Sequence, residues 1–340
     1  MKLWHGIDNS STMNNNSAVD LNCLLCGSSE IAIHHSLSAE DILKCWAQAG
    51  HQLDPAVTRS LLNEGMIHLY DCLQCGFQFF NPKLAGSGEF YEQLHADGSE
   101  YYASNRPENE RNVRFAIRQG YRTILDLGCG PGFALDAAKR AGLETFGIEL
   151  SRTAAAAAAQ RGHTIFPVLL KDMEPAWEGK FDLISLNQLL EHVPDPVGLV
   201  RQCIGFLSPR GAIAIAAPGA TGVLRFTPWL EANWPPHHLS RWRTKDFYEL
   251  AERAGLRVIK TVGDQLVGAD LQRILLGHRQ LCQSLQKPYR GLPPWAIKAL
   301  CLLYRKTGLK YLCHSQGHSV YCYLGRHTVA SETPELADAL

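Results

Sequence analysis

Residues 123–132, T-I-L-D-L-G-C-G-P-G, constrain the fold of this chain more than any other stretch. The first five form a short apolar run with one acid, which is typical of a buried parallel strand. The chain then turns on Gly128, Gly130 and Gly132 and enters a helical pattern. Glycines let backbone N–H groups approach a ligand closely, and a helix start favours negative charge. This stretch therefore predicts a nucleotide-type ligand at the end of a strand.

Two kinds of ligand site share such a junction. A dinucleotide site needs the spacing G-x-G-x-x-G, but position 133 is Phe, so the third glycine falls one place early. An acid so close before the first glycine, Asp126, is also unusual for that site. The stretch instead resembles motif I of class I S-adenosylmethionine-dependent methyltransferases. The resemblance implies that the amino-acid end of the cofactor is held by Asp126, Gly128, Gly130 and Gly132.

Two further elements carry the same resemblance. Glu149 ends the predicted second strand, where a carboxylate can accept both ribose hydroxyls. Residues 187–196, N-Q-L-L-E-H-V-P-D-P, follow the predicted fourth strand and resemble the family's E-H-V-x-D-P motif. Ligands bind outside the carboxyl ends of such strands, so Asn187 and Gln188 are predicted to face the cofactor. Asp172 matches more loosely the acid that the family places near the adenine amino group.

Three histidines are candidates for a catalytic base. His192 follows the fourth strand, and His237 and His238 lie in an aromatic- and proline-rich loop past the fifth, on the same predicted rim. Histidine, with an unperturbed pKa near ~6.5, suits proton removal at neutral pH. We expect one of the three to take the acceptor's proton. In the alternative, the three histidines are structural: His192 caps or packs against the helix that follows it, and His237 or His238 forms hydrogen bonds within its own loop.

Two C-x-x-C-G units contain Cys23, Cys26, Cys72 and Cys75. Each unit can present two thiolates to a tetrahedral ion, so the pattern predicts one structural Zn²⁺ bound by all four, rather than buried free cysteines. Ser38 and Asp54 predict two helix starts between the units. The second unit and its surroundings, L-Y-D-C-L-Q-C-G-F-Q-F-F-N-P, resemble bacterial methyltransferases with an amino-terminal zinc ribbon. Some of those act on nucleotide sugars or glycans.

Strand and helix patterns alternate from residue 123 onward, which predicts an α/β fold with helices on both faces of a parallel sheet. The resemblance implies a Rossmann-like, seven-stranded methyltransferase sheet whose last strand, here residues 318–324, runs antiparallel. A small zinc-ribbon domain is expected before it. The predicted organisation is a disordered tail (1–20), a zinc ribbon with a helical insertion (21–83), linker or lid helices (84–122), the methyltransferase domain (123–326, with a helical insertion at 264–317) and a tail (327–340).

The chain contains 33 lysine and arginine residues and 33 aspartate and glutamate residues. This balance of charge argues against a general attraction to nucleic acid or anionic lipid. The 11 cysteines are odd in number and no signal peptide is apparent, so we expect reduced thiols in the cytoplasm. No apolar run reaches membrane-spanning length. An apolar helix predicted at 295–304 is a substrate cap, a membrane-surface helix or a buried helix.

These features predict S-adenosylmethionine-dependent methyl transfer to a small-molecule acceptor, such as a nucleotide sugar or glycan. One alternative is an RNA methyltransferase with a zinc ribbon, but residues 20–82 contain only Lys44 and Arg59 as basic residues. A nicotinamide-dependent oxidoreductase and a non-catalytic descendant are the others. The sequence leaves open whether the acceptor atom is oxygen, nitrogen or carbon, and it leaves the oligomeric state open.

Overall fold

The computed structural model describes residues 21–51, 53–96, 106–221, 233–265 and 316–327, with a few single positions between 293 and 302. Most of the predicted insertion at 264–317 lies outside the described residues, and so do the predicted tails apart from residue 327. Within the described parts of the chain, no helix combines the length and apolarity that crossing a bilayer requires.

The amino-terminal region contains two antiparallel strands, and two helices lie between them in the chain. Ser38 Oγ accepts the Asp41 N–H at 3.1 Å, and Asp54 Oδ1 accepts the Ala56 N–H at 2.6 Å. Both predicted helix starts are therefore confirmed. The elements here are β1 (Ile31–Ser38), α1 (Ala39–Gln48), α2 (Pro55–Glu64), β2 (Met66–Cys72) and β3 (Gln78–Phe79).

The rest of the chain alternates helices and strands around one larger sheet. Its elements are α3 (Gly88–Ala96), α4 (Pro107–Gln119), β4 (Thr123–Leu127), α5 (Phe133–Arg140), β5 (Glu144–Ile148), α6 (Arg152–Gln160), β6 (Thr164–Phe166), β7 (Phe181–Asn187), α7 (Pro196–Phe206), β8 (Leu207–Pro218), β9 (Ser240–Arg241), α8 (Asp246–Ala254), β10 (Arg257–Gln265) and β11 (Gln316–Gly325).

The strand order of the larger sheet is β10-β11-β8-β7-β4-β5-β6. Strands β4 to β8 pair in parallel, whereas β11 runs antiparallel to both of its neighbours. The predicted seven-stranded sheet with an antiparallel last strand is confirmed. The chain order reverses beside β4, and in open α/β sheets that switch point opens a ligand crevice at the carboxyl ends of the strands.

Two hydrophobic clusters cover the two faces of this sheet. Leu135 of α5 and Ala158 of α6 belong to one, and Val200 of α7 and Leu250 of α8 belong to the other. All four side chains are essentially inaccessible to solvent. Burying a valine or leucine contributes about 1.5–3 kcal/mol, so these helices are held on the sheet mainly by apolar packing. Helices lie on both faces, as predicted.

The smaller sheet crosses the predicted boundary between the two domains. Its order is β1-β2-β3-β9, and β9 lies far along the chain, past the fifth strand of the larger sheet. Phe79 pairs with Ser240, and the Phe77 ring lies 4.9 Å from the Trp242 ring, centroid to centroid. Phe77 and Trp242 belong to the same hydrophobic cluster as α7 and α8. The cysteine-containing region and the large sheet therefore share one core.

Candidate functional site

The acid–glycine turn lies at the carboxyl end of β4. Gly128, Gly130 and Gly132 have φ values of 69°, 53° and 87°, a backbone region that L side chains rarely adopt. The Gly128 N–H donates to the Ile148 carbonyl at 2.8 Å, which ties the turn to β5. A Cβ atom on Gly132 would lie 2.8 Å from His163 Cδ2, so Gly132 also permits close internal packing.

Glu149 is oriented by backbone groups on both sides. Its Oε2 accepts the Gly130 N–H at 2.9 Å, and its Oε1 accepts the Ser151 N–H at 2.7 Å. Burial raises the pKa of Glu149, and these N–H groups act in the opposite direction. A carboxylate offers about four lone-pair positions, so each oxygen can accept one further hydrogen bond. The side chain is thus positioned to receive a pair of ligand hydroxyls.

Asp126 is a buried carboxyl beside this turn. Its Oδ1 accepts from Ser185 Oγ at 2.5 Å and from Asn187 Nδ2 at 3.1 Å. Desolvation raises the pKa of Asp126 to about 7, and the carboxyl groups of Glu149 and Glu108 contribute to the increase. A cationic ligand group next to Asp126 would favour the ionised carboxylate.

The two amides after β7 have different surroundings. Asn187 bonds to Asp126 and accepts from Asn112 Nδ2 at 3.0 Å. Gln188 has a φ of 52°, and its Nε2 lies 3.3 Å from both Glu108 Oε1 and Ser319 Oγ. A left-handed conformation is uncommon outside glycine, and such residues concentrate at functional sites. The Asn187 side chain therefore contacts Asp126, another predicted cofactor residue, whereas the Gln188 side chain contacts α4 and β11.

Asp172 differs from the other two predicted cofactor acids. It is exposed and pairs with Lys171 Nζ at 3.0 Å, whereas Asp126 and Glu149 are buried. The structure brings Asp126 and Glu149 to the glycine turn and leaves Asp172 on the surface. Its adenine role stays a prediction.

The three candidate histidines form one cluster. Their ring centroids lie 4.5 Å (His192–His237), 5.1 Å (His192–His238) and 4.6 Å (His237–His238) apart. The His192 Nδ1–H donates to the His237 carbonyl at 2.6 Å. Burial lowers the pKa of His192 to about 4. The cluster therefore contains at least one imidazole that is neutral at physiological pH.

Aromatic side chains from the amino-terminal half enclose this cluster. The Tyr91 ring lies 5.8 Å from His192, and the Trp46 and Phe90 rings lie 6.2 Å and 6.4 Å from His237, centroid to centroid. Glu92, also on α3, accepts the Arg152 N–H at 3.1 Å at the start of α6. Helix α3 thus extends from the histidines to the edge near Glu149, which favours the lid interpretation.

Two buried acids at the site were not assigned from the sequence. Glu191 is 1% exposed, and neither of its oxygens has a hydrogen-bond partner among the described residues. Burial raises the pKa of Glu191 to about 8. Glu108 is 2% exposed and lies 3.7 Å from Arg106 Nη1. The E-H-V motif already contained Glu191, whereas the Glu108 position in a polar helix start gave no comparable signal.

The four cysteines converge as predicted. The Sγ atoms of Cys23 and Cys75 lie 3.7 Å apart, and those of Cys26 and Cys72 lie 3.5 Å apart. Tetrahedral thiolate coordination with Zn–S bonds of about 2.3 Å requires sulfur separations of about 3.8 Å. All four Sγ atoms lie within 4.8 Å of one another, so the cluster fits a four-coordinate metal ion.

A groove of about 360 Å³ lies at the opposite edge of the large sheet. Thr123, Glu144 and Phe181 line it, and these are the first residues of β4, β5 and β7. The groove is therefore at the amino ends of the strands and is not part of the site described above.

The chain is similar in sequence to known methyltransferases. Residues 92–261, half of the chain, match the methyltransferase domain family. A ubiquinone biosynthesis O-methyltransferase of Methylococcus capsulatus is 31% identical over 160 residues, which cover 40% of this chain and 66% of that protein. One of Xanthomonas campestris is 27% identical over 214 residues, 52% of this chain and 89% of that protein. The chain spans just under two thirds of the Methylococcus protein.

Two solved structures that the chain is similar to are methyltransferases by name. A SAM dependent methyltransferase from Archaeoglobus fulgidus is 17% identical, with a TM-score of 0.41, and the match covers 64% of this chain and 93% of that chain. A putative sarcosine dimethylglycine methyltransferase from Galdieria sulphuraria has a TM-score of 0.42 at 16% identity, over 64% and 84% of the two chains.

Proposed function

Because the chain belongs to the methyltransferase domain family, we propose that it transfers a methyl group from S-adenosylmethionine to an oxygen of a small-molecule acceptor. One observation carries the proposal: the end of β7 bonds to the acid–glycine turn, and the chain continues from there directly into the histidine cluster. Asn187, the last residue of β7, bonds to Asp126, and His192 follows five residues later. The O-methyltransferase names of the relatives support oxygen as the acceptor atom.

We infer that Asp126, Gly128, Gly130 and Glu149 hold the cofactor. When bound, its sulfonium supplies an electrophilic methyl group. The protein then has to place the acceptor in line with that methyl, and such positioning provides a large part of the rate. Asp126 complements a cationic ligand group, and Glu149 has lone pairs available for two hydroxyls.

We infer that the acceptor hydroxyl lies at the histidine cluster, where it loses its proton. An oxygen acceptor needs this help, and the prediction that one of His192, His237 and His238 is the base stands as part of the proposal. The partly buried Tyr91 ring beside His192 offers an apolar surface to a cyclic acceptor, and Trp46 and Phe90 pack behind the cluster. Our specific candidate is the hydroxyl of a sugar-linked compound, such as a nucleotide sugar.

We further propose one structural Zn²⁺ bound by Cys23, Cys26, Cys72 and Cys75. Four thiolates leave no open position on the ion, so it stabilises the fold and takes no part in the chemistry. Metal analysis of the purified protein tests this. A Cys72→Ser, Cys75→Ser double variant should lose one equivalent of zinc, and full retention would contradict the assignment.

The proposed reaction is tested by calorimetry followed by product analysis. The protein should bind S-adenosylmethionine and S-adenosylhomocysteine, and mass spectrometry should detect one added methyl on a nucleotide sugar. A protein that binds neither cofactor form would overturn the proposal. Methylation of a short RNA but not of the nucleotide sugar would favour the RNA alternative. Membership of the methyltransferase family makes the nicotinamide oxidoreductase alternative wrong.

A further inference from the structure

The three clustered histidines have the geometry of a metal site. We infer that His192, His237 and His238 bind a divalent ion of the zinc class, at a second site distinct from the four cysteines. One ring nitrogen from each residue lies within 4.8 Å of the others. His237 and His238 are 7% and 6% exposed, and the His192 side chain is 11% exposed.

The tautomer of His192 suits a metal ligand. A backbone carbonyl only accepts hydrogen bonds, so the 2.6 Å contact with the His237 carbonyl requires a proton on Nδ1 of His192. In the neutral ring, Nε2 then carries the lone pair. Histidines that bind metals are typically oriented by such a bond from the other ring nitrogen. The His237 residue thus supplies both a ring and the carbonyl that orients its neighbour.

The spacing of the nitrogens is compatible with coordination. Zn–N bonds of about 2.0–2.1 Å in a tetrahedron place the nitrogens about 3.4 Å apart. The three nitrogens lie within 4.8 Å of one another, so any separation above about 3.4 Å would have to shorten on coordination.

Glu191 is a second and independent observation that points to a cation. It is buried, its two oxygens have no hydrogen-bond partner among the described residues, and its Oε1 lies 3.6 Å from His192 Nε2. Buried polar oxygens without hydrogen-bond partners are costly, and a nearby cation would be a partner for them. A divalent ion bound at the three rings would provide that cation, with Glu191 beside the ion and not among its ligands.

Three nitrogen ligands leave one coordination position open, as in catalytic rather than structural zinc sites. That position would receive the acceptor hydroxyl, and this role rests on the proposed function, whereas metal binding does not. The ion would lower the pKa of the hydroxyl, its O–H bond would break, and the proton would leave to water. The oxygen would then attack the methyl carbon as the carbon–sulfur bond breaks. With the ion bound, this route would replace the single histidine base of the proposed function, because the three ring nitrogens would be ligands.

Metal stoichiometry of the full-length protein tests the inference without any acceptor. After equilibration with Zn²⁺ and removal of free ion, the wild type should hold two equivalents and a His237→Ala, His238→Ala variant one. His34→Ala, which changes an exposed histidine outside the cluster, is the matched control and should keep two. A wild type with one equivalent, or a double variant with two, would overturn the second site.

Two further measurements guard against misfolding of the histidine variant. Co²⁺ titration of the wild type should give one phase with thiolate-to-metal charge transfer and one with ligand-field bands alone; a single phase would contradict the inference. Glu191→Gln keeps the three rings and should weaken Zn²⁺ at the second site about 10–100-fold. Unchanged S-adenosylhomocysteine affinity in these variants would separate a failure of the metal site from a failure of the proposed function.

Discussion

The proposed cofactor half of the crevice, at the acid–glycine turn, and the proposed acceptor half, at the histidine cluster, are built in different ways. In the cofactor half, backbone N–H groups of Gly130 and Ser151 hold Glu149, all within a short stretch of chain. In the acceptor half, His192 is held by a carbonyl 45 positions away, and the nearby Tyr91 ring comes from another helix. The first half therefore depends on a local backbone turn, whereas the second depends on contacts between distant segments of the chain.

The largest expected effect comes from changing the three histidines, which tests whether proton removal from the acceptor depends on the acceptor half alone. His192, His237 and His238 are each replaced by Ala, and the maximal rate and the cofactor affinity are measured separately. Loss of the catalytic base, or of a ligand to the proposed ion, should lower the rate about 10²–10⁴-fold with cofactor binding intact. Near-normal turnover in all three variants would mean that the acceptor half acts by positioning alone.

A smaller effect tests the backbone cradle of the cofactor half. Glu149→Ala removes the proposed acceptor of both ribose hydroxyls, and hydrogen bonds to charged groups are worth about 1.5–3 kcal/mol each. Calorimetric affinity for S-adenosylmethionine should therefore fall at least tenfold. Glu144→Ala, an exposed glutamate at the start of the same strand, serves as the control and should bind normally. Equal affinities for the two variants would contradict the assignment of Glu149.

The smallest effect is a pH dependence that belongs to the cofactor half alone. Burial raises the pKa of Asp126 to about 7, and a bound cation favours its ionised form. Asp126 must then lose a proton on binding at low pH, so cofactor affinity should fall about tenfold between about pH 8 and pH 6. Asp126→Asn should remove this slope in calorimetry; the same slope in the variant would assign it to another group.

The raised pKa of Asp126 also makes the stability of the folded protein depend on pH. The folded carboxyl of Asp126 binds its proton more tightly than the unfolded one, whose pKa is about 3.8. The contribution of Asp126 to the free energy of unfolding of the ligand-free protein should therefore decrease as pH rises from about 4 to about 7. Urea titrations at both pH values should show this as the difference in pH dependence between the wild type and Asp126→Asn, because the other titrating groups are common to both proteins.

Local patterns were sufficient for most of the cofactor half. The D-x-G-x-G turn and the acid ending β5 are short-range features, and parallel strands place their carboxyl ends at one edge of a sheet. The convergence of His192 with His237 and His238 also followed from counting strands, since both segments come after parallel strands. Glu191 was visible in the motif but its isolation was not, because a missing hydrogen-bond partner is a property of the surroundings.

Patterns in the sequence were enough to predict the alternation of strands and helices, the cysteine cluster and the rim that carries the acids and histidines, and the family resemblance added the seven-stranded sheet. Glycine spacing, capping residues and alternating apolar runs act within a few positions, so they can be recognised in the sequence. The folded structure was needed to reveal that β9 joins the strands of the cysteine region and that Trp46 and Tyr91 enclose the histidines. These contacts join residues that are far apart in the chain, and apolar packing has no directional code that a local pattern could record.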